Sequence, residues 1–162
     1  MLDFGFFYLF ISKAISLQSL NCIILIDFKS PSKVKFCRFP FLLDLGVVIA
    51  TETDYSVSPY NPFYTLHAAI TRQDRENNPP GGWFPEQAMT REEALRAATM
   101  DGAYVMFAEE ILGSIEVGKL ADFVVIPVDY MTIPAEDIWK IEPDMTVIGG
   151  DVVYTRPVQA KK

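Results

Sequence analysis

One stretch of the chain has residues whose types and spacing could do chemistry. It is Val47-Val-Ile-Ala-Thr-Glu-Thr-Asp54, an apolar, β-branched run that ends in a carboxylate. A turn signal, Ser58-Pro-Tyr-Asn-Pro62, follows it. A buried parallel strand reads this way when it delivers an acidic side chain to the open end of an α/β barrel. The other groups of such a site come from other strands. The chain has a single histidine, His67, and almost nothing upstream to supply them.

The elements around that stretch set its context. From Gly46 onward the pattern is regular, and Val47–Thr53 is expected to be a buried strand. The sequence predicts a helix over Phe63–Arg72, with Phe63, Leu66, Ala69 and Ile70 on one face at helical spacing. Asn77-Asn-Pro-Pro-Gly-Gly82 marks a loop. Thr90-Arg-Glu-Glu93 is a capping box that starts a helix expected to run to about Ala108. After Gly113 the period changes. Ile115, Val117 and Leu120 lead into a strand over Ala121–Ile126, and Gly118-Lys119 is expected to turn between two short strands. Thr132–Trp139 reads as a loop with a turn of helix. Thr146–Tyr154 reads as a hairpin whose Gly149-Gly150 pair takes the tight turn.

Composition limits the function classes. The chain has 162 residues, a one-domain length, and half of them are hydrophobic, so disorder is not the default. Residues 1–44 carry five Lys/Arg and three Asp/Glu, a net of +2, and residues 45–162 carry nine and eighteen, a net of -9. An acidic body argues against a nucleic-acid partner, because phosphate binding needs clustered cations. Cys22 and Cys37 lack CxxC spacing and read as free thiols. The front apolar runs, Met1–Ile11 and Cys22–Ile26, are shorter than the roughly 18 residues a membrane span needs, so no span is expected. The start carries Asp3 and no cation, which is not a signal-peptide pattern, and a cytoplasmic place is the expectation. Residues 1–44 fit no periodic template and are expected not to be native family sequence; the alternative is two strands, Phe4–Ile11 and Ile23–Phe28.

Several motifs together resemble the amidohydrolase superfamily. Gly113-Ser-Ile-Glu-Val-Gly-Lys-Leu-Ala-Asp-Phe-Val-Val-Ile126 looks like its closing signature. Helix Arg91–Thr99 with Gly102-Ala103 is similar to the segment preceding that signature, and Val147–Tyr154 to its final strand pair. Thr65–Arg72 with Gly81-Gly-Trp83 resembles the branch called amidohydrolase 3, or YtcJ-like. The resemblance covers roughly residues 46–157.

The resemblance implies an α/β fold class: the C-terminal portion of a metal-dependent hydrolase (β/α)8 barrel plus part of a small β-sandwich. Residues 45–112 would end the barrel, 113–157 would belong to the sandwich, and 158–162 would be a tail. The implied reaction is hydrolysis of non-peptide carbon–nitrogen bonds in small amides, N-acyl or cyclic, with a divalent metal, zinc being the expected ion. Asp54 matches the position of the family's catalytic and metal-binding aspartate. Substrate-binding residues and oligomeric state are not assigned. Glu52 stands where the family usually has Gly, and Ser56 where it commonly has Pro. Glu52 would lie on the same side of the strand as Asp54 and crowd it. The family's upstream histidines have no counterpart in residues 1–44. This chain by itself is therefore expected to bind no metal and to be inactive, since catalytic metal sites use three or more protein ligands. A non-catalytic remnant or interaction module is the alternative.

Lesser candidates are weighed in the same way. His67 is expected to pack. Arg72, Asp74 and Arg75 are weighed as substrate contacts near a barrel mouth against a solvated loop, and the loop is favoured. Trp83 and Phe84 are expected to pack rather than form a lid. Asp122 looks catalytic by its isolation on an apolar strand, but a structural hydrogen-bonding role is favoured.

Overall fold

The computed structural model describes residues 39–53 and 59–157. Helix α1 spans Phe39–Asp44, α2 Pro62–Thr71, α3 Arg91–Ala98 and α4 Met100–Val105. Strands β1 (Phe123–Val125), β2 (Met145–Ile148) and β3 (Asp151–Thr155) form one antiparallel sheet in the order β1-β2-β3. Short 3-10 helices lie at Pro85–Gln87 and Ala135–Lys140. Among the described residues no helix is long and apolar enough to cross a membrane.

Local chemistry explains most of these boundaries. The Asn61 side chain accepts the Phe63 N–H at 3.0 Å, and Pro62 follows with a backbone angle already suited to a first turn. Arg72 ends α2 in the left-handed region, its N–H bonded to Ala68 O. Helix α3 opens with the predicted capping box: Thr90 Oγ1 accepts from Glu93 N at 3.2 Å, and Glu93 Oε2 accepts from Thr90 N at 2.7 Å. The hairpin turns on Gly149 and Gly150, both at positive φ, and Ile148 pairs with Asp151 across it. Between Thr146 and Val147 the register slips, so β3 carries one extra residue there.

The core gathers one face of each element. Ile49 and Ile138 are fully buried, with Leu42, Val47, Phe63, Leu66 and Ile141 around them. Burying side chains of this size stabilises by about 1.5–3 kcal/mol each. Helix α2 packs against both α3 and the 3-10 helix at Ala135–Lys140. Arg91 ties these layers together. Its guanidinium donates to the carbonyls of Tyr130 and Ile133, and the Tyr130 hydroxyl returns a bond to Arg91 O at 3.3 Å.

Three expectations are corrected. Val47–Thr53 is not a strand but a segment without regular secondary structure. A strand needs a ladder, and among the described residues none lies beside it. It is held instead by Val47 N–H to Leu42 O (3.0 Å) and Thr51 N–H to Ala97 O (3.1 Å). The helix expected over 91–108 breaks at Thr99, where φ is -124 and ψ -84, and it ends at Val105. The Thr99 hydroxyl donates to Leu95 O, and its N–H bonds Arg96 O in a tightened last turn. Finally, Ile115–Val117 forms no strand, Val117 being fully exposed, and β1 has three residues rather than six.

Candidate functional site

Asp54, the residue singled out for catalysis and metal binding, lies outside the described residues, as does Ser56. The segment leading to it is well placed. Val47 and Ile49 turn into the core, while Val48, Ala50 and Glu52 are more exposed. Val47 and Ile49 share one core cluster with Phe63 and Leu66 of α2 and Ala94 of α3. Ala50, Thr51 and Glu52 line an open groove of 1020 Å³ whose other walls include Leu66, Leu95, Met106 and Val147. That groove is mainly apolar. Glu52 and Asp122 are its exposed carboxylates.

The single histidine does not contribute to the groove. His67 is buried on α2, and its Nε2 lies 3.0 Å from Asn77 Oδ1 and 3.4 Å from Thr71 Oγ1. It packs, as expected. Among the described residues no group of three or more His, Cys, Asp and Glu could hold a metal ion. The donors present among the described residues do not fit a catalytic metal.

Arg72, Asp74 and Arg75 follow the far end of α2. Ten helical residues rise about 15 Å, which separates them from Asn61, where the chain leaves the catalytic candidate. Each has structural work. Arg72 Nε donates to Trp83 O at 3.2 Å and its guanidinium lies 5.5 Å from the Trp83 ring. Asp74 Oδ1 accepts from Glu76 N and Asn78 N. Arg75 stacks 4.8 Å from the Tyr64 ring. Trp83 and Phe84 meet edge to face, 4.7 Å between ring centroids. Gly82 lets this loop close onto α2, because a Cβ there would sit 2.3 Å from Thr71 O. Asp122 accepts the Gly149 N–H at 2.6 Å, a structural hydrogen bond as expected, and the turn it fastens is that of the distant hairpin.

Two polar groups of the interior were not legible in the sequence. Asp101 is buried on α4 and pairs with Arg96 at 3.0 Å across the helix break. Burial pushes its carboxyl above the ordinary range, while the Arg96 guanidinium acts in the opposite direction. Burial pushes the Tyr130 phenol up to about 12, partly offset by the Arg91 charge. A signal for Asp101 existed: it is the charged residue amid the small and apolar positions Ala97, Gly102 and Ala103. Tyr130 and Arg91 are 39 residues apart, and no local pattern joins them.

A sequence profile of the amidohydrolase family, for the branch called amidohydrolase 3, matches residues 37–154. Protein LONG AFTER FAR-RED 3 of Arabidopsis thaliana is 29% identical over 119 residues, 72% of this chain and 19% of that protein. The N-substituted formamide deformylase of Arthrobacter pascens is 28% identical over 115 residues, 71% of this chain and 21% of the enzyme. The crystal structure of an amidohydrolase from Thermotoga maritima matches with a TM-score of 0.50 and 25% identity, covering 73% of this chain and 26% of that one. The chain thus spans about a fifth of the length of these two relatives. With a profile that matches well over half of its residues, the chain belongs to the amidohydrolase family, in the branch called amidohydrolase 3.

Proposed function

We propose that this chain is the C-terminal part of a hydrolase acting on carbon–nitrogen bonds of small non-peptide amides, with Asp54 as its acid–base residue. The observation that carries the reading is the course of Val47–Glu52 from core to groove. Val47 and Ile49 are buried in the core, while Ala50, Thr51 and Glu52 line the groove, and Asp54 follows two residues on in the sequence. A carboxylate at the end of such a segment can accept a proton from an attacking water and return it to the departing nitrogen. The deformylase of Arthrobacter pascens, by its name, acts on an N-substituted formamide, and a formamide or another N-acyl compound is the substrate class proposed here. In this reading the segment belongs to the end of a (β/α)8 barrel, and the three-stranded sheet belongs to a small β-sandwich completed by other strands. The metal and its remaining ligands are supplied by residues beyond those described.

Glu52 is the feature of this chain that works against turnover. It puts a second carboxylate two residues from Asp54 in the sequence, and like charges that close repel. A chimera tests the whole reading. Residues 45–157 replace the matching segment of the Arthrobacter deformylase, and formamide hydrolysis is measured. The expected result is weak turnover that rises with Glu52→Gly and vanishes with Asp54→Asn. A folded chimera whose turnover survives Asp54→Asn would overturn the assignment.

A further inference from the structure

The groove of 1020 Å³ is apolar, yet its charge is one-sided. The described residues that line it include two carboxylates, Glu52 and Asp122, and no lysine or arginine. Other polar side chains of the groove bond within the protein. Asp122 accepts from Gly149 N, and the Thr99 hydroxyl donates to Leu95 O. Ser114 donates to Glu116, and Tyr130 donates to Arg91 O. Glu52 differs. It is exposed, and among the described residues its carboxylate has no hydrogen bond or ion pair. We propose that the groove binds a small organic cation, an alkylammonium, with its stem against Leu66, Leu95 and Met106 and its charged head on Glu52.

Charge and shape select that ligand together. Apolar walls with a few polar groups are the usual make-up of a small-molecule site, and the volume is ample for one. An anionic ligand would meet Glu52, Asp122 and the net charge of -9 of residues 45–162 with nothing to offset them. A second copy of the chain brings a like charge of -7. A bare metal ion finds no group of three ligands among the described residues. An ammonium offers N–H donors to an unengaged carboxylate, a charge-assisted hydrogen bond, and its alkyl stem leaves water for the apolar walls. The functional meaning of this ligand rests on the hydrolase reading above. There it is the amine half of the substrate, a diamine acylated on one nitrogen and charged on the other. Its positive charge offsets the repulsion between Glu52 and the nearby Asp54. The carboxylate that works against turnover of a neutral formamide thus favours a substrate that carries a cation.

Binding to the full chain tests this independently of turnover. Hexylamine, charged at pH 7, and hexan-1-ol, neutral and of like size, are titrated into the chain while the methyl signals of Leu95 and Met106 are followed. Both signals should shift, and hexylamine should bind roughly fivefold more tightly than the alcohol, the size of an exposed ion pair. Glu52→Gln, a nearly isosteric change at an exposed position, should bring the amine down to the level of the alcohol. Glu52→Lys should reverse the preference, so that hexanoate binds better than hexylamine. Absence of shifts at Leu95 and Met106 overturns the proposal, as does equal binding of amine and alcohol to the parent chain. A preference for the amine that survives Glu52→Gln overturns it too, because the general negative field or Asp122 is then its source. None of these outcomes touches the hydrolase reading, which the chimera tests with a neutral formamide.

Discussion

At the scale of single residues, buried polar groups hold the interior in register. Arg91 and Tyr130 exchange hydrogen bonds through side chain and backbone in both directions. The phenol is buried, and burial moves its pKa from 10 to about 12. The consequence for stability has a definite sign. Below pH 10 the phenol is neutral in both folded and unfolded chains, and the full stability is present. Between pH 10 and about 12 the unfolded phenol ionises while the folded one resists, so protons are lost on unfolding and stability falls as pH rises. A loss on the order of 1–2 kcal/mol across that window is expected from a shift of this size. Tyr130→Phe should lose about 1 kcal/mol at pH 7 with its hydroxyl hydrogen bond, and it should have a shallower alkaline decline than the parent. Melting temperatures of both chains at pH 9, 10, 11 and 12 measure the difference. Parallel declines would show that this phenol does not control the alkaline limb.

At the scale of elements, legibility follows the range of the interaction that forms each one. Helix α3 was readable because its capping box lies within four residues. The hairpin was readable because Gly149 and Gly150 themselves take the positive φ that its turn requires. Helix α2 starts and stops where Asn61, Pro62 and the left-handed Arg72 dictate. The misreadings share one cause. A strand at Val47–Thr53 depends on neighbours far away in sequence, and the apolar run that signals it is silent about whether they lie alongside. The break at Thr99 depends on packing from Gly113, whose Cβ would fall 2.8 Å from the Ala103 Cβ and 3.0 Å from the Met100 Cα. That close approach favours two short helices over one long one, and a periodic small-residue face looks the same in both cases. Of the candidate site, the burial of Val47 and Ile49 was legible from the apolar run, and the packed roles of Arg72, Asp74 and Arg75 were not. The cap gives the direct test at this scale. Thr90→Ala should cost about 1 kcal/mol in urea unfolding and Thr90→Ser almost nothing, because a serine hydroxyl can still accept the Glu93 N–H. Equal losses in the two variants would remove the cap from the account of α3.

At the scale of the whole molecule, the chain combines a packed core with an open apolar side. Val47 and Ile49 enter the core with α2 and α3, and Ala50, Thr51 and Glu52 line a groove of 1020 Å³. In the chain as it stands, Asp54 is a single carboxylate beside a second one, Glu52. The single histidine of the chain is buried against Asn77 and Thr71. Three or more protein ligands hold a catalytic zinc, and the described residues offer no such group. The purified chain should therefore retain well under one zinc per molecule after dialysis, and it should not accelerate hydrolysis of an N-formyl amine above buffer. Metal analysis and an amine-release assay read the two outcomes separately. A stoichiometric zinc that is lost, together with turnover, in Asp54→Asn would mean that this chain builds a complete site by itself. A stoichiometric zinc that survives Asp54→Asn would point instead to ligands other than the family's aspartate, and it would break the link between this strand end and the metal.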